Sequence, residues 1–389
     1  MTATTQTAQH GLSEHSHGAG VPIQTRYERL RSTNVSDFPA ISPREEQWRY
    51  CSPDRLKGLD ADVLAEFVGD LAVKHSEGVT TAWVGADHSA FGSAGIPEER
   101  PSAAAWQSAK QAYLITLPAE TKSEATVEVI SESNEPSAIH LIVEAKKFAE
   151  ATVIIDHKGN AILSENIEII VGDEAQLTVI SIQDWNDESV HASTQMAKLG
   201  RNSKLKHLVV SLGGKTVRVA SSTEFTQPGG DVEMLGMYFA DAGQYLENRL
   251  YVDHAVPNCK SRVTYKGALQ GEKAHTVWVG DVLIRMAAEG TDTYELNRNL
   301  LLTDGARADS VPNLEIETDK IEGAGHASAS GRFDDEQLFY LQARGITELE
   351  ARRLVVRGFL NEIIQQIGNE DLEARLSNSI EAELARSGS

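Results

Sequence analysis

The sequence predicts a mainly β chain: a core of stacked coils, flanked by helical segments at its two ends. Three observations lead there. Between about Ala112 and Glu322, short β-rich runs alternate with polar turns, and no helix-period stretch separates them; this excludes an alternating strand–helix fold. The turns that open at Gly172, Gly200, Gly229 and Pro257 recur at roughly 28 to 29 residues, inside the range that marks stacked repeats. Each unit carries a Gly- or Asn-bearing turn and two strands. One unit cannot bury its own apolar face, whereas stacked coils bury a continuous one. A sandwich of antiparallel sheets, with turns spaced at roughly 8–12 residues, is the alternative.

In chain order, residues 1–25 are mostly Thr, Gln, His, Ser and Gly, the composition of a disordered tail, with His10, His15 and His17 as opportunistic metal ligands. Residues 26–105 read as a small mixed, partly helical domain. RYERLRS is a short helical piece, and ISPREEQWRY starts a helix with Ser42 as N-cap and Pro43 in its first turn. Leu56 to Leu71 has no clear period, and Gly92 to Pro101 reads as a connection or lid. Residues 106–330 hold the strand candidates ATVEVIS, AIHLIVEA, ATVIID, IEIIVG, QLTVISI, LKHLVVSL, KTVRVAS, VEMLGMYF, ENRLYV, RVTYKGAL and TVWVGDVLI. LEIE (Leu314 to Glu317) alternates apolar and acidic residues as a strand does. In GAGHASASG (Gly323 to Gly331) the only large side chain is His326, which leaves its imidazole accessible.

Residues 331–389 form a helical domain. Asp334 is a plausible N-cap and Gly345 a stop for a first helix. Thr347 with Glu350 forms a capping box that opens a second, running toward Gly368. On that helix Leu354, Val355, Val356, Phe359, Leu360, Ile363, Ile364 and Ile367 make a stripe wider than one core-facing surface needs. Either the helix packs between two elements of its own chain, or its outer flank binds a partner.

Composition narrows the function. A formal charge of −21 over 389 residues argues against binding a nucleic-acid backbone. Cys51 and Cys259 make neither a disulfide framework nor a paired-Cys metal motif, and no apolar run approaches a membrane span. A cytoplasmic protein is expected. Gly213-Gly214-Lys215-Thr216 looks like the tail of a phosphate-binding loop, but Val209 stands where the first Gly is needed, and strand-like VRVAS follows in place of a helix. The chain is therefore no ATPase of that class. Cys259 sits in a turn beside Lys260, where a lone Cys is usually inert. Asp253, His254 and His275 read as strand-end or surface residues. His326 is the sharpest polar feature: one imidazole nitrogen suits iron ligation, and an exposed loop His is the plainer alternative.

Four stretches carry a resemblance: PREEQWRY, AVPNCKSRVTYKGAL, GTDTYELNRNLLLTDGARADSVPNLEIETDKIEGAGHASASGR and DDEQLFYLQARGITELEARRLVVRGFLNEII. Together, over roughly residues 40 to 367, they resemble the SufB/SufD family of iron–sulfur cluster assembly proteins, and the REEQWRY start and short length resemble its SufD branch. The resemblance implies a right-handed parallel β-helix between helical domains. It implies a complex in which a SufB-like and a SufD-like subunit pair, each carrying a SufC-like ABC-type ATPase on its C-terminal helices. It places His326 at the shared cluster-building interface. For docking it points to Phe339, Arg344, Gly345, Val355, Phe359, Leu360 and Ile363. Ala306 stands where the SufB branch has a Cys and Ala327 where it has a Glu, so this chain is expected to hold no cluster alone, and Ala324 stands where some SufD proteins have a Cys. The resemblance also implies a non-catalytic scaffold, a transient shared cluster, a reduced flavin somewhere in the complex, and a homodimer when the chain is isolated. A β-helix enzyme acting on carbohydrate or acyl substrates, or a metal-free adaptor, is the alternative.

Overall fold

The structure, a computed structural model, describes residues 29–332 and 335–386; the predicted tail and the Asp334 cap lie outside them. Three short strands come first, β1 (Ala65–Glu66), β2 (Asp70–His75) and β3 (Thr80–Gly85), then helix α1 (Arg100–Ser108) and β4 (Gln111–Leu117). β5 (Lys122–Ala145) and β6 (Glu150–Val171) are long and contribute to both walls of the core. Shorter strands follow: β7 (Gln176–Trp185), β8 (Val190–Leu199), β9 (Lys204–Ser211), β10 (Thr216–Phe225), β11 (Asp231–Ala240) and β12 (Tyr245–His254). The last are β13 (Lys260–Leu269), β14 (His275–Ile284), β15 (Asp292–Leu301), β16 (Arg307–Ile316) and β17 (Gly323–Arg332).

From β6 onward each strand pairs in parallel with the strand two places on. β8, β10, β12, β14 and β16 build one wall on the second half of β6. β7, β9, β11, β13, β15 and β17 build the other on its first half. The result is a parallel β-solenoid of about 8 turns, and the antiparallel sandwich is excluded. On the second wall Gln176↔Lys204, Lys204↔Asp231 and Asp231↔Lys260 advance by 28, 27 and 29 residues, the period visible in the sequence. The last steps, Lys260↔Asp292 and Asp292↔Gly323, lengthen to 32 and 31. Gly236 and Gly267 face the lumen beside aromatic rings. A Cβ there would lie 1.9 Å from the Tyr265 ring and 1.8 Å from the Tyr238 ring, so only Gly leaves room for both.

Buried apolar clusters hold the layers together. The lumen holds one, running from Ile115 and Val127 to Trp278 and Ile284. The N-terminal segment lies along the outer face of the first wall, where Val35, Trp48, Leu56 and Ala103 to Ala105 meet Ile162, Ala192 and Val277. A buried ion cluster pins it. Arg218 bonds Glu99 at 2.6 Å, lies 3.2 Å from Glu247, and stacks under the Trp48 ring at 4.1 Å. The expected helix across ISPREEQWRY is a single 3-10 turn, Glu46–Trp48. A segment laid flat on a wall buries single residues from several turns, which a continuous helix cannot do. Arg29 to Ser32 is likewise non-helical, its Arg29 and Arg31 side chains drawn to Glu98 at 2.9 Å.

On the opposite flank lie α2 (Asp335–Gln342), α3 (Glu348–Ile364) and α4 (Glu370–Arg386). The Thr347–Glu350 capping box is present, and Gly345 takes the left-handed φ of +85° that ends the preceding turn. The wide apolar stripe packs between two elements of its own chain: Val356, Leu360, Ile363 and Ile364 join Leu208, Leu235 and Phe239 of the second wall and Leu376 and Ile380 of α4. Asp156 bonds Arg375 of α4 at 2.5 and 2.9 Å and fixes the helices to the coil below. Gly213-Gly214 is a turn leading into β10, as expected of a strand context. Among the described residues, no helix is long and apolar enough to cross a membrane.

Candidate functional site

The two ends of the solenoid differ. At the first coil, β1 and β4 pair with β5 on one wall, and β2 runs antiparallel along β5 on the other; β3 then covers β4. At the last coil, β16 pairs with β14 and β17 with β15, and among the described residues no strand pairs with their outer edges. Two ten-residue strands thus present open rows of backbone donors and acceptors.

His326 lies on β17 and is exposed. Its register partner is Glu295 of β15, and their neighbours Asn297↔Ser328 and Asn299↔Ser330 share that face. The face is the lumen: Ser328 donates to Ser310 of β16 across the mouth at 2.7 Å, and Asn299 donates to Ser330 at 3.1 Å. His326 therefore crowns an inward-facing polar column at an open mouth. Beneath it Glu295 is buried and neither carboxylate oxygen has a hydrogen-bond partner. Burial pushes that carboxyl up to about 8. Deeper still, Tyr238 donates to Asn299 at 2.6 Å and accepts from Asn297 at 2.9 Å.

A second polar cluster lies mid-lumen. His157 of β6 sits 2.9 Å from Glu165 across the bend of the same strand, and Ser193 of β8 donates to the other Glu165 oxygen at 2.9 Å. His191 of β8 has Nε2 3.4 Å from that oxygen. Its Nδ1 lies 2.6 Å from Gln183 Oε1 and 3.1 Å from the Trp185 indole N–H. Gln195 donates to Ser181 at 3.0 Å and meets His207 at 2.6 Å, linking the two walls. Burial holds His207 down at about 4. Sequence reading passed over this cluster, because its members come together only once strand phase and coil period are combined.

The other expected residues resolve as follows. Phe339 is 72% exposed, and Arg344 stacks on the Tyr340 ring at 4.3 Å. Val355 is half-buried and Gly345 exposed. Leu360 and Ile363 are buried at 0% and 2% exposure and Phe359 packs partly against the same cluster, so these three serve the chain's own core. Asp253 and His254 are buried, not at the surface: Asp253 pairs with Arg285 at 2.5 Å and His254 with Ser261 at 2.9 Å. His275 pairs with Asp309 at 2.7 Å. Cys259 is buried, and burial raises its thiol pKa above the ordinary value, as suits an inert core residue.

The chain is thus a parallel β-solenoid with one end covered by further strands, the other bare among the described residues, and a polar mouth at the bare end. The comparisons with known proteins place it. Residues 128–359 match the family described as SUF system FeS cluster assembly, SufBD core domain. The chain is 50% identical over 377 residues to the iron–sulfur cluster assembly SufBD family protein ML0594 of Mycobacterium leprae, covering 94% of this chain and 96% of that one. It is 49% identical over 367 residues to the SufBD family protein Rv1462 of Mycobacterium tuberculosis, covering 92% of each. A second protein of that organism, Rv1461, is 27% identical over 211 residues, 54% of this chain and 25% of that protein. The chain belongs to the SufBD family of iron–sulfur cluster assembly proteins.

Proposed function

We propose that this chain is the SufD-type scaffold subunit of a SufB–SufC–SufD complex. The observation that carries it is the uncovered last coil, with His326 at its mouth and small residues around it. β16 and β17 pair with the corresponding strands of a SufB-like subunit, extending both walls across the interface. His326 then offers one neutral nitrogen ligand to iron. Ala324 and Ala327 beside it bring neither thiolate nor carboxylate, so the remaining ligands come from the partner and the cluster is held transiently by both. That one mycobacterium holds two family members, one close to this chain and one distant, supports a pair of unlike subunits. The exposed flank of α2 and α3, with Phe339, Tyr340, Arg344 and Leu354, docks a SufC-like ATPase. The interior positions Leu360 and Ile363 hold that flank in place. The chain itself performs no bond-making step.

The test is anaerobic reconstitution with ferrous iron and sulfide, using this chain alone and co-purified with SufB-like and SufC-like partners. Cluster absorbance is expected only from the complex. His326→Ala should leave the complex intact and lower its iron content several-fold. Wild-type iron in that variant, or failure of the two family members to co-purify, overturns the proposal.

A further inference from the structure

We propose that His157, Glu165 and His191 form a structural site for a divalent first-row transition ion, zinc or ferrous iron, enclosed in the middle of the lumen. The three residues each offer one ligand atom, and these atoms lie within 4.8 Å of one another; bonds of about 2.0–2.2 Å put tetrahedral donors roughly 3.3–3.6 Å apart, so the donors draw together slightly around the ion. The site is far from the mouth in sequence and register, belongs to this chain alone, and does not depend on the cluster-assembly role.

Tautomers decide the chemistry. His157 Nδ1 lies 2.8 Å from the Ile182 carbonyl, which only accepts, so that nitrogen carries the proton and Nε2 turns a lone pair toward Glu165. His191 Nδ1 lies 2.6 Å from Gln183 Oε1, which accepts, and 3.1 Å from the Trp185 indole N–H, which donates, so it can keep only one of the two; an ion at Nε2 selects the tautomer that donates to Gln183 and gives up the longer Trp185 contact. Two imidazole lone pairs and a carboxylate then converge with no donor between them. Ligating histidines characteristically spend the opposite N–H on a carbonyl, and ligating carboxylates are themselves hydrogen-bonded, as Ser193 does for Glu165.

A proton is the competitor for this place. As an imidazolium, His157 would satisfy its own contact with Glu165, but His191 Nε2 would keep only its 3.4 Å approach to the other Glu165 oxygen, which is not aligned as a hydrogen bond. An ion satisfies all three at once. The nitrogen and carboxylate set without a thiolate suits zinc or ferrous iron. All three side chains are fully buried, so the ion enters as the coils close and stabilises the folded chain.

The experiment uses the full chain, free of affinity tags, with His10, His15 and His17 changed to Gln to silence the tail. The protein is unfolded in denaturant with chelator, then refolded with Zn2+, with Co2+, or with chelator alone, and desalted. Expected are about one equivalent of metal per chain, a higher Tm than the chelator sample, and cobalt d–d bands without a thiolate charge-transfer band. His157→Gln and His191→Gln should each weaken retention by about ten-fold or more. His326→Ala and His207→Gln should retain the ion, which separates this site from the mouth and from general lumen polarity. A wild-type chain that refolds to the same Tm with and without ions and holds under about 0.1 equivalent overturns the proposal, whatever the variants do.

Discussion

The first and last coils are built from the same strand pairing yet treated in opposite ways. Both walls of the first coil carry further strands, β1 and β4 on one and β2 on the other, and its lumen is aliphatic, with Val127, Val129 and Leu141 fully buried. The last coil has bare edges and a lumen face of Ala324, His326, Ser328 and Ser330. An uncovered edge usually invites aggregation. Here the exposed strand β17 carries almost nothing apolar to drive non-specific collapse, and in the proposed pairing backbone bonds and a few polar groups would select the partner.

The sharpest way to break this contrast is to place one acid at equivalent inward positions of both ends. Val127→Asp buries a carboxylate without a partner and should cost at least about 4 kcal/mol, collapsing the thermal transition. Ser328→Asp meets water and should cost less than about 1 kcal/mol while abolishing pairing with a SufB-like chain, read by co-elution. Equal melting temperatures for the two variants would erase the distinction. A smaller effect concerns Glu295, just below the mouth. Its folded carboxyl holds a proton up to about 8, against 4.5 ordinarily, so the folded state is increasingly penalised as pH rises between those values. Glu295→Gln lacks that penalty. It should raise Tm more at pH 8 than at pH 5, and a pH-independent difference would show the carboxylate to be already compensated. Smallest on stability is Phe339→Ala, within about 0.5 kcal/mol. Co-elution with a SufC-like ATPase should nevertheless weaken, and unchanged co-elution would move the docking surface elsewhere.

Much of the solenoid was legible because its strands are rich in Val, Ile and Leu and its turns recur at one period. Where that texture fails, so did the reading. VHASTQMAKL of β8 and GAGHASASGR of β17 have little β-propensity and become strands only because neighbouring coils offer them an edge. The stripe on α3 was visible, but which side it faced was not: covering the second wall from Leu208 to Phe239 uses Leu360 and Ile363, a fact of tertiary placement. His326 stood out because everything around it is small. His157, Glu165 and His191 did not, since each lies in an ordinary strand and only the fold brings them together.

The tyrosines packed against Gly236 and Gly267 have a bearing on traffic. With both rings buried and the Tyr238 hydroxyl hydrogen-bonded to Asn297 and Asn299, they stand as a bulkhead between the mouth and the middle of the rod. The interior is thus a packed rod and not a pipe, and a group at the open mouth reaches the middle only if these side chains move.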